Sequence, residues 1–243
     1  MQVDGLPAKV FVAMRYWHPF IPETVKEIVA QGFQRVVVLP LFPQYSQATT
    51  GSCLAQVNKA LQKYKDKVEV YIIKEWPKQP QYIESLVNKI KAALAVFPSE
   101  QRDKVEVVFT AHSLPADFVN QGDPYVKQIE ETVAACLKLL KVNNWHIAFQ
   151  SRSGPVKWLE PATDKLISKL AQKGSKYLLF VPISFVSDHI ETLYEIDIMF
   201  KEQAVKEGFM QVERCAALNS DELFIKCLAA LVKEKLAAVK KEE

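Results

Sequence analysis

Cysteine is scarce in this sequence, and its placement excludes several classes of protein. The 243 residues include four cysteines, none of them in a C-x-x-C pair: Cys53, Cys136, Cys215 and Cys227. Such scatter argues against a zinc knuckle or a disulfide framework and is typical of a reducing compartment. The first residues, MQVDGLPAK, also lack the pattern of a secretory signal. We therefore expect a cytoplasmic protein.

Charge of one sign, long apolar runs and glycine-rich loops are missing as well. Lys and Arg number 31 and Asp and Glu 28, for a net charge of +3 without any basic block, so a nucleic-acid partner is not indicated. No apolar run approaches the ~20 residues of a membrane-spanning helix. The seven glycines form no G-x-G-x-x-G or G-x-x-x-x-G-K pattern, which disfavours a nucleotide-binding protein.

What the sequence does contain is an alternation of short apolar runs and longer amphipathic stretches. Apolar residues make up 49% of the chain and charged residues 24%, an ordinary balance for a globular protein. The alternation predicts an α/β fold with parallel sheets. The predicted strands are residues 9–13, 35–39, 68–73, 105–110, 146–149, 177–181 and 211–214. The predicted helices are residues 81–97, 123–140, 161–173 and 221–239.

A polar stretch at residues 97–104 is the one interruption that is typical of a domain boundary. It predicts two similar α/β halves, residues 1–98 and 99–217, followed by a terminal helical segment at 218–243. The first half contains three predicted strands, which is few for such a unit, so we expect this half to be incomplete.

The residues that follow the predicted strands are the candidates for chemistry, because ligands of open α/β sheets bind beyond the carboxyl ends of the strands. His112 follows the fourth strand, and an imidazole can accept a proton or bind a transition metal, although a lone histidine is often structural. Glu191 and Glu195 follow the sixth strand and share one helical face. Two interpretations stay open for this pair: a path for a cation or protons, or simply an exposed acidic face. Asp188 is expected to cap that helix. His18 and His146 are expected to be structural.

Six segments together resemble the ferrochelatase family, whose members insert ferrous iron into a porphyrin. They are MRYWHPF (14–20), LPLFPQYSQATTGS (39–52), TAHSLP (110–115), GDPY (122–125), QSRSGPVKWLEPATD (150–164) and PISFVSDHIETLYEID (182–197). They occur in family order along nearly the whole chain. The resemblance implies two Rossmann-like halves with a porphyrin cleft and a final helix that packs on the first half. It implies a lyase of haem biosynthesis, acting on protoporphyrin IX or coproporphyrin III.

The resemblance also implies roles for individual residues. It assigns catalysis and metal binding to His112 and Glu191, which would face each other across the porphyrin plane. A path for metal or protons would comprise His189, Glu195 and Asp197. The residues implied to bind the porphyrin are Arg15, Tyr16, Tyr45, Ser46, Ser113 and Trp158. Ferrous iron would be a substrate, and we expect no tightly bound cofactor and no iron–sulfur cluster.

Three departures from the family pattern accompany this resemblance. The family's opening strand, glycine-bearing loop and helices are absent, so we expect one lip of the cleft to be missing. Met199 stands eight residues after Glu191, where many relatives carry a carboxylate, and Cys53 replaces a serine. Two alternatives stay open: a non-catalytic porphyrin- or haem-binding protein, and a chelatase that inserts Co²⁺ or Ni²⁺ into another tetrapyrrole. A hydrophobic product would suit peripheral membrane contact, and the sequence does not indicate an oligomeric state.

Overall fold

The structure is a computed structural model that describes residues 2–3 and 6–239. The described chain forms two compact units, one reaching Trp76 and including the residues from Lys226 onward, the other spanning Pro77–Ile225. Both units combine helices with parallel strands, which confirms the predicted α/β class. None of the described helices is both long enough and apolar enough to cross a membrane.

The first unit contains a small parallel sheet and the helices that cover it. Its elements are β1 (Gln2–Val3), β2 (Leu6–Pro7), α1 (Ile21–Ala30), β3 (Arg35–Val38), α2 (Ser52–Leu61) and β4 (Glu69–Ile72). A π-helical turn, Gln47–Gly51, precedes α2. Strands β3 and β4 pair in parallel, with Arg35 opposite Glu69. Ile21, Val25 and Ile28 recur at helical spacing on α1, and this buried stripe packs the helix on the core of the unit.

The second unit contains a four-stranded parallel sheet. Its elements are α3 (Pro80–Ala95), β5 (Val105–His112), α4 (Ala116–Asn120), α5 (Tyr125–Leu137), β6 (Trp145–Gln150), α6 (Thr163–Gln172), β7 (Tyr177–Pro182), α7 (Ile190–Leu193), α8 (Lys201–Lys206) and β8 (Gln211–Arg214). The strand order is β6-β5-β7-β8. A π-helical segment, Glu195–Phe200, joins α7 to α8. The long helix α9 (Glu222–Val239) begins here, and its residues from Lys226 belong to the first unit.

Apolar residues on both faces of the central strands explain why this sheet forms. Val107, Val108 and Phe109 in β5 are all buried, as expected for a parallel strand that helices cover on both sides. Leu166, Ile167 and Leu170 form the buried stripe of α6, which packs against Phe180 of β7. Strand β5 is therefore packed on both faces up to the carboxyl edge of the sheet, where the candidate residues follow the strands.

One predicted strand is wrong. Residues 8–13 form no strand in the structure, and Val10 and Val12 are 70% and 60% exposed. An apolar run favours a strand, but a strand also needs a neighbouring backbone to pair with, and no strand of the described chain lies beside this run.

The predicted division of the chain also differs from the observed units. Helix α3 precedes the predicted boundary at residue 98 but belongs to the second unit. Its Tyr82 hydroxyl donates to the Ile183 carbonyl at 3.0 Å, and its Ser85 hydroxyl donates to Asp221 at 3.0 Å. The halves 1–98 and 99–217 and the terminal segment 218–243 stay a prediction, and residues 240–243 lie outside the described chain.

Candidate active site

The carboxyl edge of the second sheet fixes the backbone of His112. In the register of β5 and β6, His112 lies opposite Gln150, so the last residues of both strands are neighbours. The His112 amide donates to the Ser184 hydroxyl at 3.0 Å, and the Tyr125 hydroxyl donates to the His112 carbonyl at 3.1 Å. Strand pairing and two side chains from different elements therefore hold this residue in place.

The imidazole of His112 pairs directly with Glu191. Its Nδ1 lies 2.7 Å from Glu191 Oε2, and the two side chains are 36% and 27% exposed, so the pair is accessible from solvent. Burial works to raise the pKa of Glu191, but the hydrogen bond and charge of His112 and the hydrogen bond of Ser151 outweigh it and lower the pKa below its ordinary value. The two side chains are in direct contact in this conformation, and their implied arrangement across a porphyrin plane stays a prediction.

Gln150 and Ser151, at the exit of β6, connect Glu191 to Glu195. The Ser151 hydroxyl donates to Glu191 Oε2 at 2.9 Å and also contacts Glu195 Oε2, while the Ser151 amide donates to Glu195 Oε1 at 2.9 Å. The Gln150 amide group donates to the Glu191 carbonyl at 2.8 Å and to Glu195 Oε2 at 2.9 Å. These bonds offset the repulsion expected between carboxylates four residues apart.

Ser151 reaches this position through an unusual backbone conformation. Its φ is 64°, in the left-handed region that favours glycine. A non-glycine residue there costs about 1–3 kcal/mol, and such conformations persist where the surroundings enforce them. The strained backbone therefore makes Ser151 a candidate for a functional role.

A cavity of about 420 Å³ opens beside this network. Its lining includes Glu195, Met199, Trp158 and Arg152. Gln150 also lines it, and the Gln150 Oε1 atom is buried without a hydrogen-bond partner among the described residues. The cavity thus gives the Glu195 end of the network room for water or a small ion.

His189 lies next to the His112–Glu191 pair but does not bond to it. Its ring packs on Phe185 with 4.6 Å between centroids, and its Nδ1 is buried with no hydrogen-bond partner in the described chain. Burial lowers the pKa of His189 below its ordinary value, although the charges of Glu191 and Asp188 oppose this. His189, rather than Asp188, occupies the N-cap position of α7.

Asp197, predicted on the same path as Glu195, is occupied elsewhere. Arg214 of β8 binds both of its oxygens, at 2.8 and 2.9 Å, and also donates to Asp188 at 2.8 Å. Asp188 is thus held by Arg214 and by Asn219 instead of capping α7. The expected cap is therefore wrong, because a partly buried guanidinium is a stronger partner for this carboxylate than helix amides are.

The residues predicted to bind a porphyrin fall into the two units. In the second unit, Ser113 is fully buried, whereas the Trp158 indole lines the cavity and donates to the Gly154 carbonyl at 3.3 Å. A Ser113 side chain without exposed surface cannot contact a ligand in this conformation.

In the first unit, the Arg15 guanidinium lies over the Tyr16 ring at 4.6 Å and donates to the Ser52 hydroxyl at 3.1 Å. Tyr16 is 73% exposed. Ser46 is fully buried and caps the π-helical turn by accepting the Ala48 amide, and Tyr45 is partly buried. Tyr16 therefore presents an exposed aromatic surface beside the partly buried guanidinium of Arg15, while Ser46 is structural in this conformation.

The site offers a metal two ligands rather than a closed coordination sphere. Among the described residues, no group of three or more His, Cys, Asp or Glu side chains is arranged to hold an ion. His112 and Glu191 provide one nitrogen and one carboxylate, donors that suit a divalent transition metal. This incomplete set suits a metal that arrives and leaves as a substrate.

Sequence reasoning missed the supporting residues, namely Gln150, Ser151, Ser184, Tyr125 and Arg214. Gln150 and Ser151 follow a predicted strand, which was a usable signal. Arg214 lies within a strand and gave no signal, because only the fold brings it to Asp188 and Asp197.

Comparison with known proteins assigns the chain to a family. A family model for ferrochelatase matches residues 1–236. The chain belongs to the ferrochelatase family. The ferrochelatase of Geotalea uraniireducens (strain Rf4) is 47% identical over 230 residues, which are 95% of this chain and 72% of that protein. The ferrochelatase of Desulfotalea psychrophila is also 47% identical, over 93% of this chain and 69% of that protein.

Two solved structures share the fold of this chain. SirB from Bacillus subtilis with Fe3+ has a TM-score of 0.71 at 15% identity and covers 97% of this chain and 85% of its own. The sirohydrochlorin chelatase SirB from Bacillus subtilis subspecies spizizenii in complex with cobalt has a TM-score of 0.65 at 13% identity, covering 91% and 78%. At such identities only the chelatase fold is shared. Membership of the ferrochelatase family makes this chain a lyase that inserts ferrous iron into a porphyrin in haem biosynthesis.

Proposed function

We propose that the His112–Glu191 pair is the place where this chain inserts Fe²⁺ into a porphyrin. The observation that carries the proposal is the 2.7 Å contact between His112 Nδ1 and Glu191 Oε2 at the carboxyl edge of the second sheet. Both side chains are partly exposed, so a substrate can reach them. The pair combines a proton acceptor with a metal ligand, which are the two functions that metalation needs.

The pairing determines which atom of His112 is available. An ionised Glu191 accepts a hydrogen bond, so Nδ1 carries the hydrogen and Nε2 keeps its lone pair. Nε2 makes no hydrogen bond within the described part of the chain. It can therefore take one of the two pyrrole protons that leave the porphyrin, and Glu191 then stabilises the imidazolium; the second proton leaves by the path proposed below. Alternatively, the same lone pair binds Fe²⁺ while the carboxylate attracts the cation, and both protons leave by that path.

We infer that Glu195 and His189 form the path by which protons or the metal move to and from this pair. Glu195 supports this role because it is bonded through Ser151 to Glu191 and also lines the cavity. Asp197 contributes to the path as an anchor, since Arg214 binds both of its carboxylate oxygens. Met199, which lines the cavity, adds no charge there.

We propose Arg15, Tyr16, Tyr45 and Trp158 as residues that contact the porphyrin, and Ser46 and Ser113 as residues that support them. Arg15 suits a propionate, and the exposed rings of Tyr16 and Trp158 suit a flat macrocycle. Ser113 and Ser46 are buried, so we expect them to support neighbouring backbone rather than to touch the ring. Coproporphyrin III carries more carboxylates than protoporphyrin IX, and competition between the two would identify the preferred substrate.

We further propose that the chain acts in the cytoplasm, without nucleic acid, a resident cofactor or an iron–sulfur cluster. The cysteines support this, since none of the four is in a disulfide and three are buried. Exposed Ile190, Leu193 and Tyr194 support peripheral contact with a membrane surface that receives a hydrophobic product. Cell fractionation with a salt wash measures both location and contact.

The test of the catalytic pair is metal insertion by purified variants. We expect His112→Ala and Glu191→Gln to lower kcat for Fe²⁺ or Zn²⁺ insertion by about 100-fold or more, because each removes a positioned proton or metal acceptor. The matched control is His146→Ala, since His146 pairs with Glu106 at 2.8 Å at the amino end of the same strands. Full activity in His112→Ala would overturn the proposal.

The same assay separates the alternatives. Porphyrin binding by the wild-type chain without insertion of any metal would identify a porphyrin- or haem-binding protein. Insertion of Co²⁺ or Ni²⁺ into another tetrapyrrole, with no turnover of Fe²⁺, would identify a different chelatase.

A further inference from the structure

We propose that Ser151 is a positioning residue that fixes the Glu191 carboxylate against His112 and leaves one carboxylate oxygen for the incoming cation. This inference rests on the proposed function of the His112–Glu191 pair. Neither the strand-exit pattern nor the family resemblance singled out Ser151 for a role.

The hydrogen bonds to Glu191 are distributed unequally between its two oxygens. His112 Nδ1, at 2.7 Å, and the Ser151 hydroxyl, at 2.9 Å, both contact Oε2. Oε1 makes no hydrogen bond within the described residues. Two bonds to one oxygen fix both the rotation and the tilt of the carboxylate, so Glu191 presents Oε1 as a single ligand atom.

Ser151 also connects this carboxylate to the strand exit and to the second glutamate. Its amide and hydroxyl both contact the Glu195 carboxylate, and the adjacent Gln150 donates to the Glu191 carbonyl. The residue thus bridges an exit of the rigid sheet and the helical segment that carries both glutamates. Without the hydroxyl, His112 would still bind Glu191, and Gln150 and the Ser151 amide would still bind Glu195, but the group that contacts both carboxylates would be lost.

The backbone of Ser151 supports this assignment, because it is unfavourable for a serine. With φ at 64°, glycine would be the least strained residue at this position. Compared with glycine, a serine at this position makes the folded chain less stable but provides a hydroxyl that contacts two glutamates. The other non-glycine residue with positive φ in the described chain is Asn219, and asparagine tolerates this conformation far better than serine does.

The experiment compares three substitutions of the same residue. Ser151→Ala and Ser151→Gly remove the hydroxyl, whereas Ser151→Thr keeps it and adds a methyl group that the left-handed conformation disfavours. We expect Ala and Gly to lower kcat by about 10- to 100-fold, the loss that a misplaced catalytic group produces, and the KM for porphyrin to change little. We expect Thr to retain most of kcat.

Thermal unfolding of the same variants provides the second measurement. Gly relieves the strain that Ala and Thr retain, so we expect the Tm of Ser151→Gly to exceed that of Ser151→Ala and of Ser151→Thr. Ser151→Gly and Ser151→Thr should therefore rank in opposite orders by Tm and by kcat, an outcome that a purely structural role would not produce. The matched control is Ser175→Ala, because Ser175 donates at 2.8 Å to Glu106, the partner of His146; its kcat should equal that of the wild type.

Crystal structures of Ser151→Ala and Ser151→Gly test the inference without reference to activity. We expect the His112 Nδ1 to Glu191 Oε2 distance to exceed about 3.5 Å, the limit of a hydrogen bond. An unchanged contact in both variants would overturn the role of Ser151, even if the wild type inserts iron. A wild-type chain that inserts no metal would overturn the proposed function, while the crystal structures would still decide whether Ser151 positions Glu191.

Discussion

Arg214 shows how much of the site depends on a side chain outside the catalytic pair. Its guanidinium binds Asp197 through two hydrogen bonds and Asp188 through one, and these two residues bracket the segment that carries Glu191 and Glu195. Burial works to lower the pKa of Arg214, but the hydrogen bonds and charges of the two aspartates raise it above its ordinary value. Removing the cation would leave two carboxylates facing each other with no counter-charge.

We expect Arg214→Met to lower the free energy of unfolding by about 2 kcal/mol and to lower kcat as well, since a partly buried charge network loses its centre. Arg214→Lys keeps the charge but cannot reproduce the forked geometry, so its loss should be intermediate. Urea unfolding and metal-insertion kinetics measure the two effects.

The matched control for this variant is Arg152→Met. Arg152 forms an exposed pair with Asp164 at 2.8 Å, and such surface pairs contribute about 0–1 kcal/mol. Equal destabilisation by Arg214→Met and Arg152→Met would contradict the importance assigned to Arg214.

Helix α9 illustrates how a capping residue in the sequence determines where a helix begins. Asp221 Oδ1 accepts the amides of Leu223 and Phe224 at 3.1 and 3.3 Å, which caps the helix. Lys89 donates to the same carboxyl at 3.0 Å and is the main reason that the pKa of Asp221 is lowered; burial opposes this, and the Ser85 hydroxyl adds to it. A carboxyl group with a lowered pKa stabilises the folded chain while it is ionised.

This arrangement gives a prediction for pH dependence. Stability from Asp221 is present above 3.8, the ordinary pKa, and is lost as pH falls through the lower folded pKa. The difference in free energy of unfolding between wild type and Asp221→Asn should therefore be constant near neutral pH and vanish in acid. Asp221→Ala, which also loses the cap, should be less stable than Asp221→Asn by about 1 kcal/mol. A difference that grows in acid would contradict the assignment.

Periodicity predicts most of these elements, and its failures have physical causes. Strands such as β5 and β7 and helices such as α3 and α9 follow directly from buried runs and helical stripes. The predicted strand at 9–13 fails because strand formation depends on a neighbour that periodicity cannot detect. The same limit applies to the site. His112 and Glu191 are recognisable by residue type after a strand, and Ser151 by its position there, whereas the role of Arg214 depends on residues far along the chain.

At the scale of the whole molecule, we expect ferrous iron to be a substrate and not an ion that stabilises the fold. Both described units have apolar cores of their own, and no described cluster of three or more ligands binds a structural ion. The stability of the chain should therefore come from burial and hydrogen bonding alone.

We expect dialysis of the purified chain against a chelator to change Tm by less than about 1 °C, which corresponds to under ~0.5 kcal/mol for a chain of this size. Calorimetry before and after dialysis measures this, and a later addition of Zn²⁺ checks reversibility. A fall of several degrees that Zn²⁺ reverses would reveal a structural metal and contradict the expectation.

The π-helical segment Glu195–Phe200 also affects how sequences of this family should be read. A π turn holds more residues than an α turn, so each one shifts the angular position of everything that follows. A helical wheel drawn with 3.6 residues per turn through 190–206 would therefore misplace the side chains beyond Glu195. Ile196 and Phe200 are buried, while Ile198 and Met199 between them are exposed. To predict which face of the helix a substituted residue occupies, the residue count should therefore restart at the π-helical segment.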